Sequence, residues 1–172
     1  PTPDKNNITN AYAAAYGNGG DLIIYFGADR FANNGDAQIG FWFLQGSVAT
    51  TGTDAGGFSG AHVDGDILIL ANFLQGGVVG DVDVYEWCEG CGTEGNNNLL
   101  FLGNFAECGE ELTGADACAL NNNGEVQAYA DYTPKFGNEG FYPDNSLFEG
   151  GINVSELIGN TCFATFMAET RS

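Results

Sequence analysis

Four oxygen-bearing side chains crowd one short stretch of this chain: Asp29, Asn33, Asn34 and Asp36. Calcium is held by oxygens from carboxylates, amides and main-chain carbonyls, and Gly35 permits the sharp bend such a loop needs. The set therefore predicts a Ca²⁺ site, although its spacing is not that of an EF-hand. The competing reading is a loop of Asx turns, whose side chains bond their own backbone. Arg30 either pairs with Asp29 or points away from it.

Two further acidic pairs sit at i, i+2: Asp64 with Asp66, and Asp81 with Asp83. On a strand each pair shares a face, where two carboxylates can chelate one ion or divide acid and base roles. The plainer reading is a turn for the first pair and a solvated strand face for the second. Glycosidase carboxylates must stand at defined separations across a cleft, so such pairs do not by themselves mark an enzyme. Asp81, Asp83, Tyr85 and Trp87 fall on one side of an alternating run and form a candidate glycan platform. The competing reading is that Tyr85 and Trp87 are partly buried at a sandwich edge or a subunit contact.

The remaining chemistry is sparse. His62 is the one histidine, with no His partner for a zinc site and no nucleophile motif beside it, and is expected to be structural. Cys88 and Cys91 form a C-x-x-C, but it opens a Gly/Asn loop and not a helix, which argues against thioredoxin-like redox work. Disulfides are expected, with Cys91–Cys108 and Cys118–Cys162 as the pairing and Cys88 left free or intermolecular. Asn7-Ile8-Thr9 and Asn153-Val154-Ser155 are sequons, making Asn7 and Asn153 possible glycan carriers. No phosphate loop, dinucleotide fingerprint or nucleophile elbow is present, and no catalytic residue is assigned.

The elements that must hold these residues read as strands. Leu22 to Phe26 and Ile39 to Leu44 are continuous apolar runs around the Asp/Asn loop, which predicts strands covered on both faces. Ile67 to Leu70 reads the same way. Val79 to Trp87 alternates, with Val82 and Val84 on one face. Leu99 to Phe101 and Ala117 to Leu120 look like strand material within a loop-rich lobe stapled by cysteines. Residues 125–132 and 147–153 read as strands, Val154 to Leu157 as one helical turn, and 162–169 as the closing strand. Eight or more short strands and almost no helix predict one all-β domain, a two-sheet β-sandwich of jelly-roll or Greek-key type.

Residues 1–18 differ from the rest, being rich in Ala and Asn. Tyr12 and Tyr16 share a helical face, while Tyr12, Ala14 and Tyr16 share a face if the chain is extended. Both readings stay open. The segment is expected to be an N-terminal extension or assembly arm, with the sandwich spanning 19–172. Pro1 in place of an initiator Met is expected to mark a processed or excised product.

With 23 acidic against 4 basic residues, the net charge is −19. Phosphate binding needs a basic surface, so nucleic acid is excluded as a partner. No run is apolar enough to insert into a membrane. Hydrophobic residues at 44% suffice for a core, so the acidity does not signal disorder. It instead suits a solubilising surface, partly neutralised by bound cations. Five cysteines in such a chain favour an oxidising compartment.

The segments YFGADRFANNGDAQIGFWFLQ, HVDGDILILANF, VYEW, YTPK, LFEGGINVSEL and CFATFMAETRS resemble a domain of large secreted bacterial surface proteins, from about Asn10 onward. The resemblance implies a secreted or cell-surface location and an architecture, with no chemistry attached. A weaker likeness to the legume-type lectin sandwich rests on Asp29, Phe31, Asn33 and Asp36, with a shorter last spacing here. The expected function is non-enzymatic and structural: a calcium-stabilised subunit of an extracellular fibre or surface layer, polymerising with copies of itself through its N-terminal segment. The alternative is a calcium-dependent carbohydrate-binding module, and a glycosidase ranks third.

Overall fold

The computed structural model describes residues 3–33, 35–52, 57–74, 76–105, 108, 116–129, 132–134, 140–159 and 161–171. The larger strands are β1 (Ile8–Asn18), β2 (Asp21–Arg30), β3 (Ala37–Leu44), β6 (Ile67–Phe73), β7 (Val79–Trp87), β8 (Leu99–Phe105), β9 (Ala117–Asn121), β12 (Leu147–Asn153) and β13 (Thr165–Arg171). Short pairs β4 (Ala49–Thr50) with β5 (Phe58–Ser59), and β10 (Val126–Gln127) with β11 (Phe141–Tyr142), decorate the loops. One helical turn, α1 (Val154–Ile158), follows β12 and is capped by Asn153.

Two antiparallel sheets stack into a β-sandwich. One has the order β1-β2-β12-β9, the other β13-β3-β6-β7-β8. Their facing sides share one core. Ile24, Phe26, Ala28, Ala119, Phe148 and Ile152 come from the first sheet, and Ile39, Phe41, Phe43, Ile67, Ile69, Val82 and Val84 from the second. Phe41 stacks on Phe148 across the interface, with ring centroids 5.6 Å apart. β1 overlies β13 at one side of the sandwich, and β9 overlies β7 and β8 at the other.

β3 and β6 are covered on both faces, as their unbroken apolar runs demand. The outer side of their sheet carries a second cluster of Trp42, Leu44, Leu68, Tyr85 and Leu99, roofed by Val48, Trp87 and Met167. β2 departs from that expectation. Its inward residues are buried, but Tyr25 is 53% exposed on the outer face, because nothing among the described residues covers that side of the four-stranded sheet.

Of the segment 1–18, residues 8–18 form a strand of the sandwich's own sheet. From Ile8 to Asn18 it pairs with β2 of its own sheet, turning through Gly19 and Gly20 at φ +63° and +115°. Left-handed backbone of this kind suits glycine. Alanine has modest strand propensity, so pairing with β2 decides the conformation against local preference. The lobe holding Leu99 and Ala117 also belongs to the sandwich proper, since both residues are buried in its clusters.

Candidate functional site

The outer face of the four-stranded sheet is paved with tyrosine, glycine and acid. Register places Tyr12 of β1, Gly27 of β2 and Glu149 of β12 in one row across the sheet. A side chain at Gly27 would run into the Tyr12 ring and lie 2.7 Å from the Phe148 carbonyl. Tyr12 therefore lies flat over the glycine, and its hydroxyl donates to Glu149 Oε1. Burial of the hydroxyl end, and then Glu149 as acceptor and neighbouring charge, raise this phenol far above its ordinary range.

The next row pairs Tyr25 with Gly151, whose missing side chain would sit 3.3 Å from the Tyr25 ring. Tyr16 meets Tyr25 edge-on at 5.8 Å. On the other side of Tyr12, Asp29 is 3% exposed and accepts from the hydroxyls of Thr9 and, at 2.8 Å, Tyr132. Tyr132 stacks on Tyr142 at 5.7 Å. Burial, then the bond to Asp29, push Tyr132 up to about 12, and burial beside Asp29 raises Tyr142 as well. Beside Tyr12 and Tyr25 lies a hollow of about 270 Å³, bounded by these two rings and Glu149, floored by Gly150 and Gly151, and walled by Cys108, Cys118 and Leu120.

The residues singled out from sequence are mostly dispersed or engaged. Asp29 faces the tyrosines. Asn33 donates through its amide to the Asp144 carbonyl at 2.7 Å, and Lys5 bonds the Asp36 carbonyl. Asn34 lies outside the described residues. Arg30 does not pair with Asp29; alternation sends it inward, where its guanidinium stacks 3.9 Å above the Phe73 ring and donates to the Asn145 carbonyl. Burial lowers its pKa to about 10.

Asp66 is fully buried and accepts from Gln45 N, Val63 N and the His62 ring, while Asp64 accepts from Glu89 N. This pair fixes turns, with the carboxylates serving different segments. Asp83 takes the Asn104 amide, and Asp81 is exposed. Among the described residues, no three or more His, Cys, Asp or Glu side chains converge as a metal cage.

The expected glycan platform does not form. Tyr85 is 6% exposed and belongs to the outer cluster, and burial beside Asp83 and Glu94 pushes its phenol up to about 12. Trp87 has one face stacked on His62 at 4.1 Å, and His62 also meets Trp42 at 4.5 Å. The alternation on β7 was read correctly, but that face is roofed by its own loop.

The disulfide pairing also differs. Cys108 pairs with Cys118 (Cα–Cα 5.0 Å) and Cys88 with Cys91 (5.5 Å), leaving Cys162 unpaired and exposed. Cys118 lies on β9 and Cys162 just before β13, at opposite sides of the sandwich, so a bond between them is geometrically excluded. Of the sequons, Asn7 is exposed. Asn153 spends its amide on capping α1 and on Asp21.

Tyr12, Tyr16, Tyr25, Tyr132, Tyr142 and Glu149 were not identified from sequence as a group. The one legible signal was the Tyr12–Ala14–Tyr16 alternation, which becomes decisive once β1 is known to be extended. Compared with protein-family models, with curated proteins and with solved structures, the chain finds no match.

Proposed function

We propose that the chain is a non-enzymatic extracellular structural module, a subunit of a fibre or surface layer that assembles copies of itself through β1. The observation that carries this reading is the free edge of β1. It is eleven residues long, has no charged residue and no proline, and is exposed over most of its length. Soluble proteins blunt open edges with charge, proline or bulges, because unpaired N–H and C=O groups invite another strand. β13, across the sandwich from β1, is blunted in this way by Glu169 and Arg171.

A groove supports the reading further. Alanine on the inner side of β1 fills little space, so a hollow of about 200 Å³ opens beside Ala13 and Ala15 onto Ile24, Phe43, Phe163 and Phe166. An incoming strand gains main-chain hydrogen bonds from the edge and apolar burial from the groove. β8 is the fitting complement. It is also an uncharged edge strand, it exposes Phe101, and it lies at the far side of the other sheet. Joining β1 of one copy to β8 of the next is a heterologous contact, and such a contact builds a filament when the rotation between copies does not close.

Extracellular placement is supported by the paired cysteines, which suit an oxidising compartment, and by the charge of −19. No helix among the described residues is long and apolar enough to cross a membrane. Calcium is assigned to the acidic surface as a stabilising counter-ion.

The test is assembly of the purified chain, followed by light scattering and negative-stain microscopy as concentration rises. The wild type forms filaments or higher oligomers. The double variant Ala13→Lys, Ala15→Lys stays monomeric at an unchanged melting temperature. Deleting β1 is a poorer test, since it uncovers β2. A wild type that remains monomeric throughout removes the reading.

A further inference from the structure

The tyrosine-lined hollow on the outer face of the four-stranded sheet is bordered by Tyr12 of β1 but lies on the opposite face from the groove at Ala13 and Ala15, and it is built like a ligand site. We infer that it binds a pyranose unit of a neutral polysaccharide, with Tyr25 and Tyr12 as stacking platforms and Glu149 as hydroxyl acceptor, without a metal ion.

Three observations converge. First, the rings are laid down and not upright. Gly27 and Gly151 lack the side chains that would lift Tyr12 and Tyr25, so each ring rests on bare sheet and turns its other face to solvent. Tyr12 remains 42% and Tyr25 53% exposed despite that packing. Rings held this way have lost their rotamer freedom before any ligand arrives, which lowers the ordering cost of binding.

Second, a polar group stands beside the rings. Glu149 accepts one hydrogen bond from the Tyr12 hydroxyl, and a carboxylate has capacity for further donors. A pyranose has C–H faces that stack on aromatic rings and an equatorial belt of hydroxyls that donate to carboxylates. Successive rows on one strand face are about 7 Å apart, on the scale of one sugar unit. Asp29 continues the acidic line one row beyond Tyr12, with Tyr132 and Tyr142 beside it.

Third, the hollow is bounded. Its volume of about 270 Å³ has tyrosines on one side and the Cys108–Cys118 disulfide with Leu120 on the other. Small-ligand pockets start at roughly 300 Å³, so one ring is held and the rest of a polymer runs along the sheet. Charge selects among polymers: a −19 chain with Glu149 at the site repels uronic-acid and sulfated glycans. Proline-rich peptides also favour tyrosine grooves, but they offer few donors to Glu149, so the sugar is the better match.

The experiment uses the full chain in affinity electrophoresis and calorimetry. The probes are soluble β-glucan, xylan, mannan and galactan, with alginate and a proline-rich peptide as controls, each with and without EDTA. At least one neutral polymer binds and alginate does not, and EDTA changes nothing. Tyr25→Ala and Glu149→Gln each weaken binding ten-fold or more at unchanged melting temperature, and Tyr12→Phe weakens it less. The edge variant Ala13→Lys, Ala15→Lys keeps full affinity, which separates this site from assembly. Binding to none of the neutral polymers, loss of binding in EDTA, full affinity in Tyr25→Ala, or preference for the peptide each overturns the inference.

Discussion

The two sheets treat their outer faces in opposite ways. On the five-stranded sheet the outer face carries Trp42, Leu44, Leu68 and Tyr85, and the loop through His62 folds back over it. On the four-stranded sheet the outer face carries Tyr12, Tyr16 and Tyr25 on a glycine floor, with no such roof among the described residues. Both faces are aromatic, so hydrophobicity alone does not separate them. What separates them is the cover: Tyr85 is buried under the loop that carries His62, whereas Tyr12, Tyr16 and Tyr25 keep a wet face. The covered face contributes stability, and the bare face leaves its apolar area available to something outside the chain.

The contrast breaks most sharply by truncation. Trp42→Ala empties a buried site and loses the Nε1 bond to Glu169, so denaturant unfolding should show a cost of about 3–5 kcal/mol. Tyr25→Ala should cost no more than about 0.5–1 kcal/mol by the same measurement. Equal costs would mean that the bare face is structural too.

A smaller effect probes the floor. Gly27→Ala must displace the Tyr12 ring or the Phe148 carbonyl, costing about 1–3 kcal/mol. Its Tyr12 signal should become solvent-like in fluorescence quenching, while Gly17→Ala, with open space around it, should change neither.

Alkali should act through the tyrosines. Tyr132 and Tyr85 rise from 10.0 to about 12, and Tyr12 and Tyr142 also rise. Above pH 10 the unfolded chain releases phenolic protons that the folded chain retains, so stability falls between about pH 10 and 12. Arg30, lowered to about 10, opposes this slope as a single group against four. Urea midpoints across that range check the sign. The smallest effect is the counter-ion: millimolar Ca²⁺ should raise the melting temperature by a few degrees, more than NaCl of equal ionic strength. A flat response would remove calcium from the account.

The interior strands were plain in the sequence because burial on both faces writes itself as an unbroken apolar run, as in β3 and β6. The same rule failed at β2, where Tyr25 is as hydrophobic in pattern as its neighbours but stands in solvent. Sequence distinguishes apolar from polar, not roofed from bare, and the roof comes from residues distant in the chain. β1 was ambiguous since alanine has no strong strand preference, and only its pairing with β2 decides it. The cysteine pairing failed for a related reason: spacing along the chain carries no record of which side of the sandwich each cysteine reaches. The acidic loop at 29–36 drew attention by composition, yet strand alternation turns Asp29 and Arg30 to opposite sides.

The two ends of the sandwich meet at one corner, where the Thr170 hydroxyl bonds the Asn6 carbonyl at 2.8 Å. Asn6 leads into β1 and Thr170 lies in β13, and both strands are edges. Tension applied at residues 6 and 170 would therefore peel each strand away one bond at a time, as a zipper opens, instead of shearing all its bonds together. Such a module yields to a weak pull along its own backbone; in the assembly proposed above, force would pass sideways, from copy to copy.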